Sequence, residues 1–303
     1  MRVLVTGADG FVGRWLVARL AESGHSVVAA KGGRTAGGVS LDLRDAESVR
    51  AAAAHDADWV VHLAGVASVS ASLADPVGTW DVNALGTMRL VDALVERRAA
   101  TGADPVLLVI SSAEVYGPGR DAPRVETDPV APVTPYATSK AAAELGALEA
   151  GKRSGLRVIV ARPFPHTGPG QASRYVVPGF VERIRLAKQR GASVVNTGNL
   201  EPVRDILDVR DVVECYLALL ERGAAGEVYN VASGTGIRLE ELFFRIAELI
   251  GCRVVPERDV SLARASDIPH LVGNADKVRA ATGWSPRFTL EQTLQSIIDA
   301  EAH

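Results

Sequence analysis

Arg2-Val3-Leu4-Val5-Thr6-Gly7-Ala8-Asp9-Gly10-Phe11-Val12-Gly13 decides the fold. Val3–Val5 is a short apolar strand, glycines follow at once, and a helical pattern runs over Phe11–Glu22. Gly7 allows a tight turn, Gly10 lets the backbone approach a pyrophosphate, and Gly13 permits close packing of helix on strand. The helix N-terminus adds amide donors and the positive end of its dipole. The spacing is Gly-x-x-Gly-x-x-Gly, not the commoner Gly-x-Gly-x-x-Gly. In its strand–turn–helix setting it predicts a dinucleotide site over Gly7, Gly10, Phe11, Val12 and Gly13 in preference to a purely structural turn.

Working outward, short apolar runs alternate with helical patterns. Val3–Val5, Ser26–Ala30, Trp59–Leu63, Val106–Ile110 and Arg157–Val160 read as strands; Phe11–Glu22, Ala46–Ala53, Pro76–Ala99 and Pro135–Ser154 read as helices. The strands are continuous apolar runs, as expected when both faces of a parallel sheet are covered. After Arg162-Pro163 a loop rich in proline and glycine precedes helices at Phe180–Arg190 and Val209–Arg222, a strand at Glu227–Val231, and closing helices at Leu239–Ile250, Asn274–Thr282 and Leu290–Ala300. The fold class is α/β: a doubly wound parallel (Rossmann) sheet with a smaller, mostly helical C-terminal substrate domain. Residues 1–163 plus about 205–233 form the dinucleotide domain, and about 164–204 plus 234–303 the substrate domain. Ligands are expected beyond the carboxyl ends of the strands.

The end of the second strand bears on the cofactor. An acid about 20 residues after the glycines favours NAD, but Ala29-Ala30-Lys31-Gly32-Gly33-Arg34 has none. Lys31 and Arg34 suit the 2′-phosphate of NADP, which is favoured over NAD. Asp42-Leu43 would cap the adenine side, and Leu63-Ala64-Gly65 would run under the cofactor.

A second constellation carries chemistry. Ser112 lies in Ser111-Ser112-Ala113-Glu114-Val115-Tyr116-Gly117, and Tyr136-Ala137-Thr138-Ser139-Lys140 follows. Tyr136 and Lys140, four apart on a helix, share a face. The lysine is expected to lower the phenol's pKa, making it a proton donor and acceptor beside a carbonyl or alcohol, with Ser112 bonded to the same oxygen. Only five of the 33 basic residues are lysines, so background frequency does not explain Lys140. Tyr-x-x-x-Lys alone also occurs on solvated helix faces; its companions give it weight.

Composition excludes other classes. The 303 residues are 47% hydrophobic and 23% charged with net charge −3, ordinary for a globular chain of one large or two intimate domains. No basic cluster suggests nucleic acid or an anionic membrane. Cys215 and Cys252 lack metal-type spacing and read as reduced thiols. No apolar run spans a bilayer and Arg2–Thr6 enters a strand directly instead of a signal peptide, so a soluble, cytoplasmic protein is expected. No metal site is expected: neither His62 nor His166 has ligand spacing. His62, at the end of a buried strand, reads as structural.

Thr6–Gly13, Asp42-Leu43, His62-Leu63-Ala64-Gly65, Asn83, Ser112 and Tyr136–Lys140 together resemble the extended short-chain dehydrogenase/reductases, over essentially the whole chain. Arg162-Pro163-Phe164, His166–Gln171, Arg204–Val212, Gly226–Val231 and the closing Arg264, Asp267, Gly273 and Thr282–Pro286 are similar to members that modify nucleotide sugars. The combination looks most like the GDP-4-keto-6-deoxy-D-mannose reductases, which make GDP-rhamnose, and the neighbouring GDP-mannose 4,6-dehydratases.

The resemblance implies an NADP(H)-dependent oxidoreductase that reduces a nucleotide-linked 4-keto-6-deoxy sugar. Catalytic roles fall to Ser112, Tyr136 and Lys140, and Tyr136, Lys140 and Pro163 join the cofactor contacts. Ser112, Glu114, His166, Arg204 and Arg264 would meet the substrate, the arginines gripping its diphosphate. Glu114 stands where dehydratases carry a base, so dehydratase or C4 epimerase chemistry is the alternative. The length and the short second βα loop favour the reductase. A non-catalytic dinucleotide sensor or scaffold is a remoter alternative, against which the intact tyrosine and lysine speak. One departure is Pro165, where relatives have asparagine; proline offers neither a side-chain donor nor an N–H. The resemblance also implies a homodimer through Pro76–Ala99 and Pro135–Ser154. The base would be read by a pocket built from Arg174–Ile184.

Overall fold

Strands this short and this apolar need cover on both sides, and the chain supplies it with helices on each face. The computed structural model describes residues 1–33, 38–119, 121–262 and 268–300. β1 (Arg2–Thr6) leads through α1 (Phe11–Glu22) to β2 (Ser26–Lys31) and β3 (Val39–Ser40). Next come α2 (Ala46–Ala53), β4 (Trp59–His62), α3 (Val69–Ala74), α4 (Pro76–Trp80), α5 (Gly86–Thr101), β5 (Val106–Ile110), α6 (Pro135–Ser154) and β6 (Arg157–Pro163). The second half opens with β7 (His166–Thr167), α7 (Val176–Arg190), β8 (Val194–Thr197), β9 (Val203–Asp205), β10 (Leu207–Asp208), α8 (Val209–Arg222) and β11 (Val228–Val231). It closes with β12 (Gly236–Arg238), α9 (Leu239–Ile250), β13 (Val255–Arg258), β14 (His270–Leu271), α10 (Asp276–Thr282) and α11 (Leu290–Ala300).

The main sheet is seven-stranded and parallel throughout, in the order β11-β6-β5-β4-β1-β2-β3. The winding direction reverses between β1 and β4, where Thr6 and His62 stand in register. A crevice therefore opens beyond the carboxyl ends of these two strands. One core cluster packs α1, α8 and α10 on one face (Leu16, Leu20, Tyr216, Val278), and a second packs α2, α5 and α6 on the other (Val49, Leu90, Ala147). A third joins α7, α9 and α11 through Phe180, Phe243 and Ile297. α10 packs on α8 and β11, so it lies with the sheet core and not with that third cluster.

The helix expected over Pro76–Ala99 is interrupted. α4 ends at Trp80, Asp81–Leu85 winds as a π-helical turn, and α5 starts at Gly86. No proline breaks it; the Asn83 side chain is instead drawn out to bond Val66 and Ser139. α7 starts at Val176, earlier than the sequence suggests. β7 to β10 and β12 to β14 have two to four residues each, too few for their periodicity to show.

Candidate active site

The site begins at the glycine turn. Gly7 has φ of 69°, in the left-handed region, and a Cβ there would lie 2.8 Å from the Ala64 nitrogen. A Cβ on Gly13 would lie 2.1 Å from the Gly7 carbonyl oxygen, so only glycine lets α1 sit down on β1. Gly10 caps α1 without a side-chain hydrogen bond, and the first turn holds no acid. α2, α6 and α8 are capped by Asp45, Thr134 and Asp208. The amides opening α1 are thus left for an anionic ligand, and this turn fits the pyrophosphate of a dinucleotide. Val12 packs against the first core cluster, and the Phe11 ring stacks on His166 at 6.4 Å.

At the tip of β2, Lys31 is half-buried and Arg34 lies outside the described residues. Asp42 is exposed and paired with Arg44 at 3.0 Å, a pairing that holds its carboxyl below the usual range. Leu43 faces inward: it is buried in the second cluster, and Gly86 leaves room for it. Leu63, Ala64 and Gly65 follow β4 into the crevice, where Ala64 N–H donates to Thr6 Oγ1 at 3.2 Å. A Cβ on Gly65 would lie 2.7 Å from Asn83 Oδ1 and 3.6 Å from Lys140 Nζ. Pro163 is buried opposite Val231.

Ser112 caps the 3₁₀ turn Ala113–Tyr116, its hydroxyl accepting from Glu114 N–H at 3.2 Å. That turn is braced from below. The Tyr116 hydroxyl donates to Asn230 Oδ1 at 2.7 Å, and its ring lies 4.8 Å under the Arg162 guanidinium. Arg162 in turn forms a buried pair with Glu144 of α6, at 2.6 and 3.1 Å. Thr134 and Pro135 start α6, and Tyr136 N–H donates to Ser72 Oγ at 3.1 Å, which sets the register of the helix.

The structure brings Ser112, Glu114, Tyr136 and Lys140 together, but it overturns one expectation. The Tyr136 phenol is raised, not lowered. Burial is the main cause, the Ser112 hydrogen bond opposes it, and the charges of Glu114 and Tyr175 reinforce it. The Lys140 ammonium donates to the Ile110 carbonyl at 2.8 Å, and burial pulls its own pKa down to about 8. The phenol is therefore held in its protonated form.

His62 is buried between Thr6 and Thr87, and burial, with Lys140 nearby, lowers its pKa to about 3. His166 donates from Nδ1 to the Phe164 carbonyl at 2.9 Å, and burial lowers its pKa as well. Between them, the Pro165 carbonyl accepts from Leu207 N–H at 2.9 Å, tying β7 to β10. Arg204, half-buried on β9, donates from Nη1 to the carbonyls of Val203 and Ile268 at 2.9 and 2.6 Å. Arg264 lies outside the described residues. Asp205, beside Arg204, accepts from the N–H groups of Ser233, Gly234 and Gly273 at 2.9 to 3.2 Å.

Thr6, Ser139 and Asp205 lie inside quoted motifs but were given no role from the sequence, and Tyr175 and Thr87 lie outside them; only their partners in space mark these side chains.

A model of the NAD dependent epimerase/dehydratase family matches residues 3–232. The chain belongs to this family. Among curated family members, it is 37% identical to the GDP-6-deoxy-D-mannose reductase of Pseudomonas aeruginosa over 98% of this chain and 96% of that protein. Among solved structures, RMD from Pseudomonas aeruginosa complexed with NADPH superposes with a TM-score of 0.87 at 35% identity, covering 99% and 98% of the two chains. The UDP-glucose 4-epimerase of Thermotoga maritima with UDP-glucose gives 0.89 at 28% identity, covering 100% and 99%.

Proposed function

We propose that this protein reduces a nucleotide-linked 4-keto-6-deoxy sugar, of the type GDP-4-keto-6-deoxy-mannose to GDP-rhamnose, with NADPH. The observation that carries the reading is the meeting of Ser112 with Tyr136, whose phenol burial keeps protonated and whose helix carries the Lys140 ammonium that donates to the Ile110 carbonyl at 2.8 Å. Ketone reduction needs a proton for the emerging alkoxide, and a protonated phenol supplies one. The likeness to a GDP-6-deoxy-D-mannose reductase over nearly the full length of both chains supports the substrate class.

NADPH, when bound, supplies hydride to C4. Gly7, Gly10 and Gly13 with the α1 amides would hold its pyrophosphate, and Lys31, with Arg34, its 2′-phosphate. Leu63, Ala64, Gly65 and Pro163 would line its path, and Asp42 and Leu43 would bound the adenine end. Ser112 hydrogen-bonds the C4 oxygen while Tyr136 protonates it. Lys140, between Gly65 and the end of β5, holds the nicotinamide ribose. Arg204 and Arg264 grip the diphosphate, and His166 lines the sugar pocket. Residues 1–163 with about 205–233 act as the dinucleotide unit; about 164–204 and 234–303, apart from α10, which packs on the sheet core, recognise the substrate.

Among the described residues no helix is long and apolar enough to cross a membrane. The reading is of a cytoplasmic homodimer. Val77, Leu85 and Leu145, exposed by 81%, 53% and 58%, offer apolar contact on the α4–α5 and α6 faces. Gly146 is already used within the chain, where its missing Cβ makes room for Met88 Sδ.

One observation favours a second reading. Glu114 lies two residues after Ser112, where a 4,6-dehydratase would carry its C5 base, and its charge helps raise the Tyr136 phenol. The test is NADPH absorbance with GDP-4-keto-6-deoxy-D-mannose, run beside GDP-mannose, with products separated. Loss of NADPH with a reduced GDP-sugar supports the reductase. A keto product from GDP-mannose without NADPH loss moves the assignment to dehydratase, and inertness in both overturns the GDP-sugar reading.

A further inference from the structure

A buried file of polar groups crosses from the glycine turn to the π-helical turn. Ala64 N–H meets Thr6 Oγ1 at 3.2 Å, Thr6 Oγ1 meets His62 Nδ1 at 2.8 Å, His62 Nε2 meets Thr87 Oγ1 at 3.0 Å, and Thr87 Oγ1 meets the Asn83 carbonyl at 2.6 Å. Thr6, His62, Asn83 and Thr87 are at most 3% exposed, so water does not complete their bonding.

Proton counting gives the file one direction. The Asn83 carbonyl only accepts, so the single Thr87 hydroxyl proton is spent on it. Thr87 Oγ1 then accepts from His62, and Nε2 carries the ring proton. In a neutral ring Nδ1 is bare, so the Thr6 hydroxyl donates to it, leaving a Thr6 lone pair for Ala64 N–H. No hydroxyl needs two protons and no lone pair faces another.

Both ends of the file are backbone groups of segments that shape the site. Asn83 clamps Val66, accepting its N–H at Oδ1 (2.8 Å) and donating from Nδ2 to its carbonyl (3.1 Å). Nδ2 also reaches Ser139 Oγ at 3.0 Å, and Ser139 donates to the Tyr136 carbonyl at 2.8 Å. Asn83 Oδ1 and Lys140 Nζ flank Gly65.

We propose that His62 is a positioning residue, locked as the neutral Nε2–H tautomer, whose bond through Thr87 fixes Asn83 and thereby the Gly65 loop and the Tyr136–Lys140 face of α6. This rests on the proposed reduction for its kinetic readout, but not for its structural one.

The experiment pairs two substitutions with one spectrum. Glutamine places Nε2 where the imidazole has it, so His62→Gln keeps the donor to Thr87. His62→Asn reaches only toward Thr6. His62→Gln is expected to retain kcat within about threefold, and His62→Asn to lose roughly tenfold or more in kcat with KM for NADPH little changed, as for a displaced reacting group. Equal kcat in the two variants, or a loss confined to KM, overturns the role. Independently of turnover, nitrogen-15 NMR of the wild-type protein should show His62 as the Nε2–H tautomer from pH 5 to 9. A Nδ1–H tautomer, or titration in that range, overturns it. If wild type consumes no NADPH, the reductase reading fails while the spectrum still decides the tautomer.

Discussion

The Lys140 ammonium and the Ile110 carbonyl, 2.8 Å apart, pin α6 to the carboxyl end of β5 and place the amine beside Gly65. Burial lowers the Lys140 pKa to about 8 from the ordinary 10.5. Between those values the unfolded chain still holds a proton that the folded chain has lost, so stability rises with pH across that window. Wild type without cofactor should therefore gain stability relative to Lys140→Met as pH rises from 8 to 10.5, with no relative change from pH 6 to 7. Paired thermal melts check this; a difference that stays constant across the window contradicts it.

Tyr136 is the proton donor in the proposed reaction, and it stands on α6, whereas the glycine turn joins β1 to α1. Tyr136→Phe should lower kcat by at least about a hundredfold, in line with loss of a positioned acid. NADPH affinity, read by fluorescence titration, should stay within about twofold of wild type. Retained turnover would move the acid elsewhere, with Glu114 the first residue to examine.

Gly13 separates a packing requirement from a ligand contact. A Cβ there meets the Gly7 carbonyl oxygen at 2.1 Å, whereas one on Gly10 meets it at 3.2 Å. Gly13→Ala should destabilise the fold by about 1–3 kcal/mol, as overpacking does, and Gly10→Ala by less. Urea denaturation of the two proteins gives the order directly.

Arg162 and Glu144 are 5% and 0% exposed in their side chains and pair at 2.6 Å. Removing one partner leaves a buried charge alone, so Glu144→Gln or Arg162→Met should each cost about 3–5 kcal/mol. The double variant should cost less than the sum of the two, a coupling that a double-mutant denaturation cycle measures.

The proposed dimer places Val77, Leu85 and Leu145 against a second copy. Leu145→Arg sets a charge where apolar surface would be buried, so it should give a monomer in sedimentation velocity while wild type sediments as a dimer. A wild-type monomer at micromolar concentration would remove that proposal.

The sequence went furthest where local chemistry is self-sufficient. The bounds of α1, α6, α8, α9 and α11 and of β5 coincide with their expected ranges, because glycine turns, Thr134-Pro135 and long apolar periodicities act within a few residues. The glycine turn and the Ser112, Tyr136 and Lys140 set were readable for the same reason, since each follows a strand end or shares a helix face. The two-residue strands β7, β10 and β14 were not, because their pairing partners are distant in sequence.

By itself, then, the amino-acid order determined the doubly wound sheet and marked the glycine turn and the Ser112, Tyr136 and Lys140 positions as candidates. Only the tertiary structure decided their electrical state. Four residues of spacing suggest that Lys140 acidifies Tyr136, yet the Lys140 ammonium is drawn to the Ile110 carbonyl and burial raises the phenol instead. The π-helical turn and the His62 file likewise arise from polar side chains that must find partners away from water, and those partners lie 17 to 56 residues apart along the chain. Desolvation depends on everything packed around a group, and no local pattern in the chain encodes it.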